Sequence, residues 1–323
     1  MPELLEGVID EFGQITLVQT VHTGCRRRVL VIVLDDASPG AADRSVAPSD
    51  TVFTDQRYIL DKQLGSGGMG ETFLGKDSLT NQSVCIKRLR PHFRRATIIQ
   101  EWQSLSRIQC PNVVRYFDHF DRGGQFHLVM EYIDGPTLAQ KMQSQLSVPE
   151  CLWLGLNLMW GLKAFHALDV IHCDLKPENI LIHPTTMLDE PGQAWVPVII
   201  DFGLAVLDQH DDEGVLTAEG RVAGTPMYMA PEQVQGWMLT TACDIYAVGL
   251  ILWEAICGRR PFNGDVYGAM AAKVRQTDGL RLESPPKNLP AAVTELVTRC
   301  THPNPSHRPS ADEAAKILES YCR

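Results

Sequence analysis

The stretch VIHCDLKPENILI, at 170–182 of the 323-residue chain, concentrates residue types that could do chemistry. Asp174, Lys176 and Asn179 fall within six residues, between two apolar runs that predict short strands. An aspartate can orient a hydroxyl nucleophile, a lysine can neutralise charge on a transferring group, and an asparagine can hold a metal ion. The stretch therefore predicts a strand–loop–strand unit suited to phosphoryl transfer, with an ordinary polar turn as the alternative.

A second acidic residue, Asp201, follows the apolar run VPVII and precedes Phe202 and Gly203. Carboxylate and amide oxygens are the hard ligands that Mg²⁺ takes in proteins. Asp201 and Asn179 are therefore candidates to chelate Mg²⁺ together.

The glycine-rich segment GSGGMG at 65–70 fits the pattern G-x-G-x-x-G. A dinucleotide site needs a helix directly after such glycines, but the strand-like ETFLGKD follows here. The glycines are therefore predicted to cap a hairpin whose backbone N–H groups can approach phosphate oxygens closely. A plain tight hairpin tip is the alternative.

Lys87 lies between apolar residues of the predicted strand SVCIKRL. Its side chain points either to a solvated strand face or into a cleft, where its charge would face phosphates. Glu101, on a helix predicted over 93–108, could pair with it. Leu105 would then share the inward face of that helix.

The elements that must position these residues change character along the chain. Short strands are predicted at YILDKQLG, ETFLGKD and SVCIKRL. After HLVMEYIDG the pattern becomes helical, and the segments 149–168 and 243–258 are apolar nearly all round, which predicts buried helices. A β-rich part followed by an α-rich part implies a cleft where the two meet.

Before this dense region, residues 1–34 predict a β-hairpin with arms QITLVQTV (14–21) and RVLVIVL (28–34). Residues 35–55 are rich in Asp, Ala, Ser and Pro, as in a surface linker. We expect residues 1–55 either to dock on the β-rich part, to contact a second copy or a regulator, or to be passive.

Composition excludes some classes of protein. A net charge of −10 argues against nucleic-acid binding, and 44% apolar residues allow a substantial core. Nine cysteines without a C-x-x-C pair favour reduced thiols in the cytoplasm over a disulfide framework. The longest apolar run, VLVIVL, is too short to cross a bilayer, so no membrane segment is expected.

The order of these pieces resembles the eukaryotic-type (Hanks-type) serine/threonine protein kinase family, and the style of several motifs resembles its bacterial members. The resemblance covers about 56–321, and its motifs are GSGGMG, VCIK with Lys87, Glu101, HCDLKPEN, DFG, GTPMYMAPE, DIYAVG with Asp244, and HRP with Arg308. It implies an α+β, bilobal protein-kinase fold over 56–323. A β-rich N-lobe (about 56–131) and a helical C-lobe (about 136–323) would enclose an ATP cleft.

The resemblance also implies an activity and roles. The γ-phosphate of ATP would be transferred, with Mg²⁺ or Mn²⁺, to Ser/Thr hydroxyls of protein substrates, since DLKPEN and GTPMY resemble the Ser/Thr branch. Asp174 would be the catalytic base and Lys176 would contact the γ-phosphate. Asn179 and Asp201 would hold Mg²⁺. Lys87, paired with Glu101, would grip the α- and β-phosphates.

The implied nucleotide pocket has Met130 as gatekeeper behind the adenine, which backbone groups from Glu131 to Tyr132 would bond. Elsewhere Glu232 and Arg308 would form a buried ion pair, and Asp244 would anchor the catalytic loop from below. The residues implied to bind the nucleotide are Leu64, Gly65, Ser66, Gly67, Gly68, Met69, Gly70, Thr72, Cys85, Lys87, Met130, Glu131, Tyr132 and Asn179.

The chain departs from the family pattern at Cys173, which replaces the arginine that usually pairs with a phosphorylated residue of the activation segment. The hypothesis is that activity does not depend on that phosphate. Thr72 and Cys85 are also unusual and should border the adenine. The insertion HPTTMLDEPGQAW (183–195) predicts a hairpin extension, and the acidic segment DQHDDEG (208–214) is either a solvated loop or attractive to basic substrates.

Two other functions stay open. A pseudokinase would bind ATP or partners without transfer, although Lys87, Asp174, Asn179 and Asp201 are all present. A small-molecule phosphotransferase would share the catalytic loop, but such enzymes generally lack GTPMYMAPE, the platform for an extended peptide.

Overall fold

The computed structural model describes residues 7–9, 15–17, 57–68, 70–90, 99, 103–184, 195–202, 226–262 and 266–322. The chain divides into two compact units, Met1–Thr51 and Val52–Arg323.

The first unit contains an antiparallel pair of strands, β1 (Gly7–Ile9) and β2 (Ile15–Leu17), with Val8 opposite Thr16. Strand β2 lies inside the first predicted hairpin arm, but its partner precedes it in the chain. The second predicted arm lies outside the described residues. Five residues separate these two strands, whereas six separate the two predicted arms.

The second unit opens with a five-stranded antiparallel sheet in the order β3-β4-β5-β7-β6. The strands predicted at YILDKQLG, ETFLGKD and SVCIKRL are confirmed. A small core of Tyr58, Val84, Ile86, Phe120 and Val129 lies within the sheet. The strand bounds are β3 Tyr58–Ser66, β4 Gly70–Asp77, β5 Ser83–Leu89, β6 Tyr116–Arg122 and β7 Gln125–Glu131.

Helical backbone at 99 and 103–105 falls inside the helix predicted over 93–108, most of which lies outside the described residues. Leu105 is buried, as its predicted inward position requires.

Two helices of different length open the part that follows the sheet. Helix α1 (Leu138–Lys141) is short, and α2 (Val148–His166) begins at a capping box in which the Glu150 carboxylate accepts the Ser147 N–H at 2.9 Å. Helix α2 is buried on most sides, which confirms the prediction from its apolar sequence. A three-residue 3₁₀ turn, Pro177–Asn179, then leads into the antiparallel pair β8 (Ile180–Pro184) and β9 (Trp195–Ile199).

Pro184 lies opposite Trp195 in that pair, and the tip of the predicted hairpin extension, 185–194, lies outside the described residues. The chain ends in helices, and α4 is as buried as its sequence predicts. The remaining helices are α3 Pro231–Val234, α4 Ala242–Cys257, α5 Val266–Arg275, α6 Ala291–Cys300 and α7 Ala311–Glu319. The predicted order, β-rich then α-rich, is therefore confirmed.

The ion pair between Glu232 and Arg308 is also confirmed. Arg308 donates to Glu232 through both guanidinium ends, at 2.6 and 2.8 Å, and both side chains are buried. Arg308 further donates to the carbonyl oxygens of Ala242 and His302. One arginine thus ties α3 to the start of α4 and to the turn before α7. Among the described residues, none of the helices combines the length and the hydropathy that a bilayer span needs.

Candidate active site

The catalytic-loop candidate is anchored from below by Asp244, in the first turn of α4. Its buried carboxylate accepts the backbone N–H of His172 at 2.9 Å and that of Cys173 at 3.0 Å, and His166 Nε2 lies 2.9 Å from the same group. These contacts confirm the anchoring role implied for Asp244. They also fix the loop, because each N–H is tied to a side chain that cannot move without disturbing the buried helix α4.

Cys173 has a left-handed backbone conformation, with φ +62°. Its N–H donates to Asp244, and its carbonyl oxygen accepts from Gln233 Nε2 at 2.8 Å. Its side chain lies against the buried thiol of Cys243. Because two backbone hydrogen bonds hold this conformation, the position does not need an arginine side chain to keep its shape. The contact with Gln233 was not predicted from the sequence.

Asp174, Lys176 and Asn179 are brought together as predicted. Lys176 Nζ donates to Asp174 Oδ2 at 2.7 Å, and Asn179 Nδ2 donates to the same oxygen at 3.1 Å and to the Asp174 carbonyl oxygen at 2.8 Å. The bonds made by Nδ2 turn Oδ1 of Asn179 to the opposite side of the amide, where it can serve as a cation ligand.

Asp201 reaches the site from the end of β9. Its neighbours are held on both sides, because the Ile200 carbonyl oxygen lies 2.9 Å from His172 Nε2 and Phe202 is buried. The Phe202 ring packs edge-on against Phe165, with 4.9 Å between ring centroids. Asp201 itself has φ +57°, an uncommon conformation that this fixed surrounding maintains.

Lys87 contacts Asp201 across the cleft. Its Nζ lies 2.8 Å from Asp201 Oδ1, and only 7% of the lysine side chain is exposed. The sequence left open whether Lys87 points to solvent or into the cleft, and in the structure it points into the cleft. The predicted partner, Glu101, lies outside the described residues, and no sequence signal pointed to Asp201 as a partner.

The glycine segment forms the predicted hairpin tip, closed by hydrogen bonds between Gly67 and Gly70 in both directions, at 2.8 and 3.3 Å. At Gly70, with φ +155°, an added Cβ would lie 2.0 Å from the Arg88 carbonyl oxygen, so only glycine fits. At Gly65, Gly67 and Gly68 an added Cβ would meet no atom within 4 Å among the described residues. Packing among the described residues therefore does not require glycine at these three positions. Met69 lies outside the described residues.

The remaining candidates for nucleotide binding line the sheet and its exit. Leu64 and Ser66 lie on β3, and Thr72 on β4 is directly opposite Lys87. Tyr132 follows the end of β7.

Met130 is buried directly opposite Cys85 across the β5–β7 pair, and burial raises the pKa of the Cys85 thiol to about 12. Cys85 is therefore a neutral, largely apolar wall residue at physiological pH. The backbone N–H of Glu131 donates to the Arg115 carbonyl oxygen at 2.8 Å.

The donor set suits Mg²⁺. Asn179 offers an amide oxygen and Asp201 a carboxylate, and Ile200 N–H donates to the Asn179 carbonyl oxygen at 3.0 Å, which brings the two positions together. The part of the chain that the structure describes has no cluster of three His, Cys, Asp or Glu side chains able to hold a metal ion. A small number of oxygen ligands from the protein is typical of Mg²⁺ sites, because the ion fills its other coordination positions with phosphate oxygens and water.

A third part of the site is the segment 226–229, within GTPMYMAPE. The Tyr228 hydroxyl donates to Glu254 on α4, and the buried Lys273 on α5 donates to carbonyl oxygens of the segment. Burial and the Glu254 carboxylate raise the pKa of Tyr228, which stays a neutral donor. The contact of Lys273 was not predicted.

The sheet, the helices and these three loops define a protein kinase. The protein kinase domain family matches residues 58–318, and this chain belongs to that family. The fold class that the sequence resemblance implied is therefore confirmed.

Relatives of the chain are bacterial serine/threonine-protein kinases. It is 32% identical to pkn3 of Myxococcus xanthus over 271 residues, 80% of this chain and 49% of that protein. It is 30% identical to PkaA of Streptomyces coelicolor over 285 residues (81% and 49%) and to PrkC of Bacillus subtilis over 264 residues (78% and 38%). The chain spans about half or less of the length of these relatives.

Proposed function

We propose that this chain is an ATP- and Mg²⁺-dependent serine/threonine protein kinase, which transfers the γ-phosphate of ATP to hydroxyl groups of protein substrates. The observation that carries the proposal is the meeting of two groups of side chains. Asp174, Lys176 and Asn179 are hydrogen-bonded to one another on the loop that leads into β8. Lys87 and Asp201 form an ion pair, and Asp201 follows β9, the strand that pairs with β8.

Each side chain has a distinct task in this proposal. Asp174 orients the acceptor hydroxyl and takes its proton, and Lys176 offsets charge on the transferring group. Lys87 binds the phosphates, with Glu101 as its further partner. Asn179 and Asp201 hold the divalent cation, which supplies charge neutralisation when bound. Leu64, the glycine loop, Thr72, Cys85 and the segment 130–132 enclose the nucleotide.

The choice of Ser/Thr hydroxyls is supported by the motifs DLKPEN and GTPMY and by the names of the relatives. We further propose a kinase domain over 56–323, a linker at 35–55 and a hairpin-bearing extension at 1–34, with residues 1–55 either in contact with a second copy or a regulator, or passive. A cytoplasmic location is supported by the eight free cysteines within the described residues.

The test is transfer of radiolabelled γ-phosphate from ATP to the chain itself and to a generic basic protein, with Mg²⁺ or Mn²⁺. Asp174→Asn should abolish transfer, because the amide cannot accept the hydroxyl proton. Asp169→Asn, an exposed position five residues earlier, is the matched control and should be fully active. A wild type that binds ATP but transfers nothing would instead establish the pseudokinase alternative. Transfer to small alcohols or amines alone would establish the small-molecule alternative.

A further inference from the structure

Helix α5 buries an unexpected residue. Ala269 and Lys273, one turn apart, are the two buried positions of the helix, and Lys273 is fully buried. Val266, Tyr267 and Val274 on the same helix are exposed. An amphipathic helix normally points its apolar residues inward and its lysines to water. The reversal implies that the buried amine does something that an apolar side chain could not.

The partners of Lys273 are three carbonyl oxygens of the segment 226–229. Its Nζ donates to Pro226 at 2.7 Å, to Met227 at 2.7 Å and to Met229 at 2.9 Å. An ammonium group has three N–H donors and no acceptor, so three carbonyl oxygens match its charged form and saturate it. A neutral amine would have only two donors for the same three oxygens.

The burial of this charge is costly. Burial lowers the pKa of Lys273, and the three carbonyl acceptors oppose this shift because they favour the charged form. Within the described ranges no carboxylate forms an ion pair with Nζ, and the centroid of the Phe262 ring lies 5.4 Å from it. Among these residues, the three carbonyl dipoles therefore provide most of the stabilisation of the buried charge.

The same contact determines the course of the segment. Three carbonyl oxygens that converge on one nitrogen repel one another unless a cation lies between them. The end of helix α5 is anchored apart from the segment, because Gln276, the residue directly after the helix, accepts from the Tyr246 hydroxyl at 3.0 Å and donates to the Thr301 carbonyl oxygen at 2.8 Å. Helix α5 thus has an anchor apart from the segment, whereas the segment 226–229 is held by Lys273 and by the bond from Tyr228 to Glu254.

This segment lies next to the catalytic loop. Tyr228 and Met229 lie around the same narrow gap as Cys173 and Asp174, and Gln233, just after the segment, donates to the Cys173 carbonyl oxygen. We propose that Lys273 is a positioning residue for the protein substrate: its buried ammonium group holds the backbone of 226–229 in the form that receives the acceptor peptide beside Asp174. The inference rests on the proposed kinase function and adds a residue outside the motifs that suggested it.

The test compares Lys273→Met and Lys273→Gln with the wild type. The control is Lys316→Met, which removes a largely exposed lysine from α7. Initial rates of phosphate transfer to a basic acceptor protein give KM for the acceptor and KM for ATP separately. Amide hydrogen exchange of 226–230 and of α4 is measured on the same samples and needs no turnover.

Lys273→Met is expected to raise the acceptor KM by about tenfold or more, because the displaced backbone of 226–229 no longer aligns the acceptor peptide. The ATP KM should stay unchanged. Exchange at 226–230 should be about tenfold faster, with α4 unaffected. Lys273→Gln keeps two donors without the charge, so its acceptor KM and its exchange rate at 226–230 should lie between those of the wild type and of Lys273→Met. If the methionine variant does not fold, Lys273→Gln provides the comparison with the wild type. Lys316→Met should match the wild type.

An unchanged acceptor KM, or an equal rise of both KM values with faster exchange throughout α4, would overturn the inference, since Lys273 would then serve stability alone. A wild type without transfer to any acceptor overturns the proposed function instead. In that case the exchange comparison still decides whether Lys273 holds the segment.

Discussion

Lys87 and Asp201, 114 positions apart in the chain, form an ion pair with 2.8 Å between Nζ and Oδ1. The lysine comes from a central strand of the sheet, and the aspartate follows the strand pair of the helical part. The pair therefore connects the two parts of the kinase domain at the point where the nucleotide phosphates are proposed to lie. It also places the carboxylate proposed to hold the metal ion beside the lysine, and this carboxylate lowers the cost of burying the lysine charge.

Replacing Lys87 by methionine should lower the rate of γ-phosphate transfer by about 10²–10³-fold, because one preorganised charge at the phosphates is lost. Lys76→Met, on the adjacent strand and exposed, is the matched control and should leave the rate unchanged. Steady-state transfer assays of both variants check this. Equal activity of Lys87→Met and the control would show that Lys87 does not act on the phosphates.

Cys173→Ser should retain nearly full activity, since backbone bonds to Asp244 and Gln233 hold this position and its side chain adds none of them. Thr217→Ala in the activation segment should likewise be nearly neutral, because Cys173 cannot pair with a phosphate as an arginine would. Transfer assays on protein treated with a phosphatase check both variants. A large loss of activity in Thr217→Ala, or after phosphatase treatment alone, would show that the phosphate is required.

Arg308→Met should destabilise the protein by about 3–5 kcal/mol, because Glu232 would remain buried without its partner. Adding Glu232→Gln to Arg308→Met should recover part of that loss, since no buried charge then remains. Urea unfolding measures both effects.

The matched control for Arg308 is Arg259→Met, which breaks a largely exposed pair with Glu283 and should cost less than about 1 kcal/mol. Similar losses in Arg308→Met and Arg259→Met would contradict the view that burial makes the difference.

The lowered pKa of Asp77 predicts that the stability of the folded protein depends on pH. Arg57 donates to both of its carboxylate oxygens, at 3.0 and 2.8 Å, and this lowers the pKa of Asp77 from 3.8 to about 2. A carboxylate with a lowered pKa stabilises the folded state above its unfolded pKa, and that contribution disappears as the pH falls from about 4 through 2.

Urea unfolding between pH 5 and pH 3 should therefore show the wild type losing its advantage over Asp77→Asn as the pH falls. Other carboxylates titrate in both proteins and cancel in the comparison. A difference in unfolding free energy that stays constant across this range would contradict the assigned pKa.

Much of this protein follows from short-range sequence patterns. The strands around Lys87, the buried helices α2 and α4, and the catalytic loop were predictable because alternation, apolar periodicity and close spacing act within about 20 residues. Asp174, Lys176 and Asn179 meet because one loop between two strands carries all three. The same holds for the glycine hairpin, since a strand rather than a helix follows it.

Other features depended on elements that are distant in the chain. The sequence left the direction of Lys87 open, and the pairing of β5 with its neighbours turned it inward towards Asp201. Several short apolar segments of similar strand preference could have paired with β2, and in the folded chain its partner is β1. Lys273 reads as a surface lysine, because its three acceptors belong to backbone about 45 residues earlier, and backbone carbonyls leave no residue-specific signal. Sequence alone thus determined which side chains share a loop or a strand. The tertiary structure decided which way the charged ones point, because the cost of burying a charge depends on partners that only packing supplies.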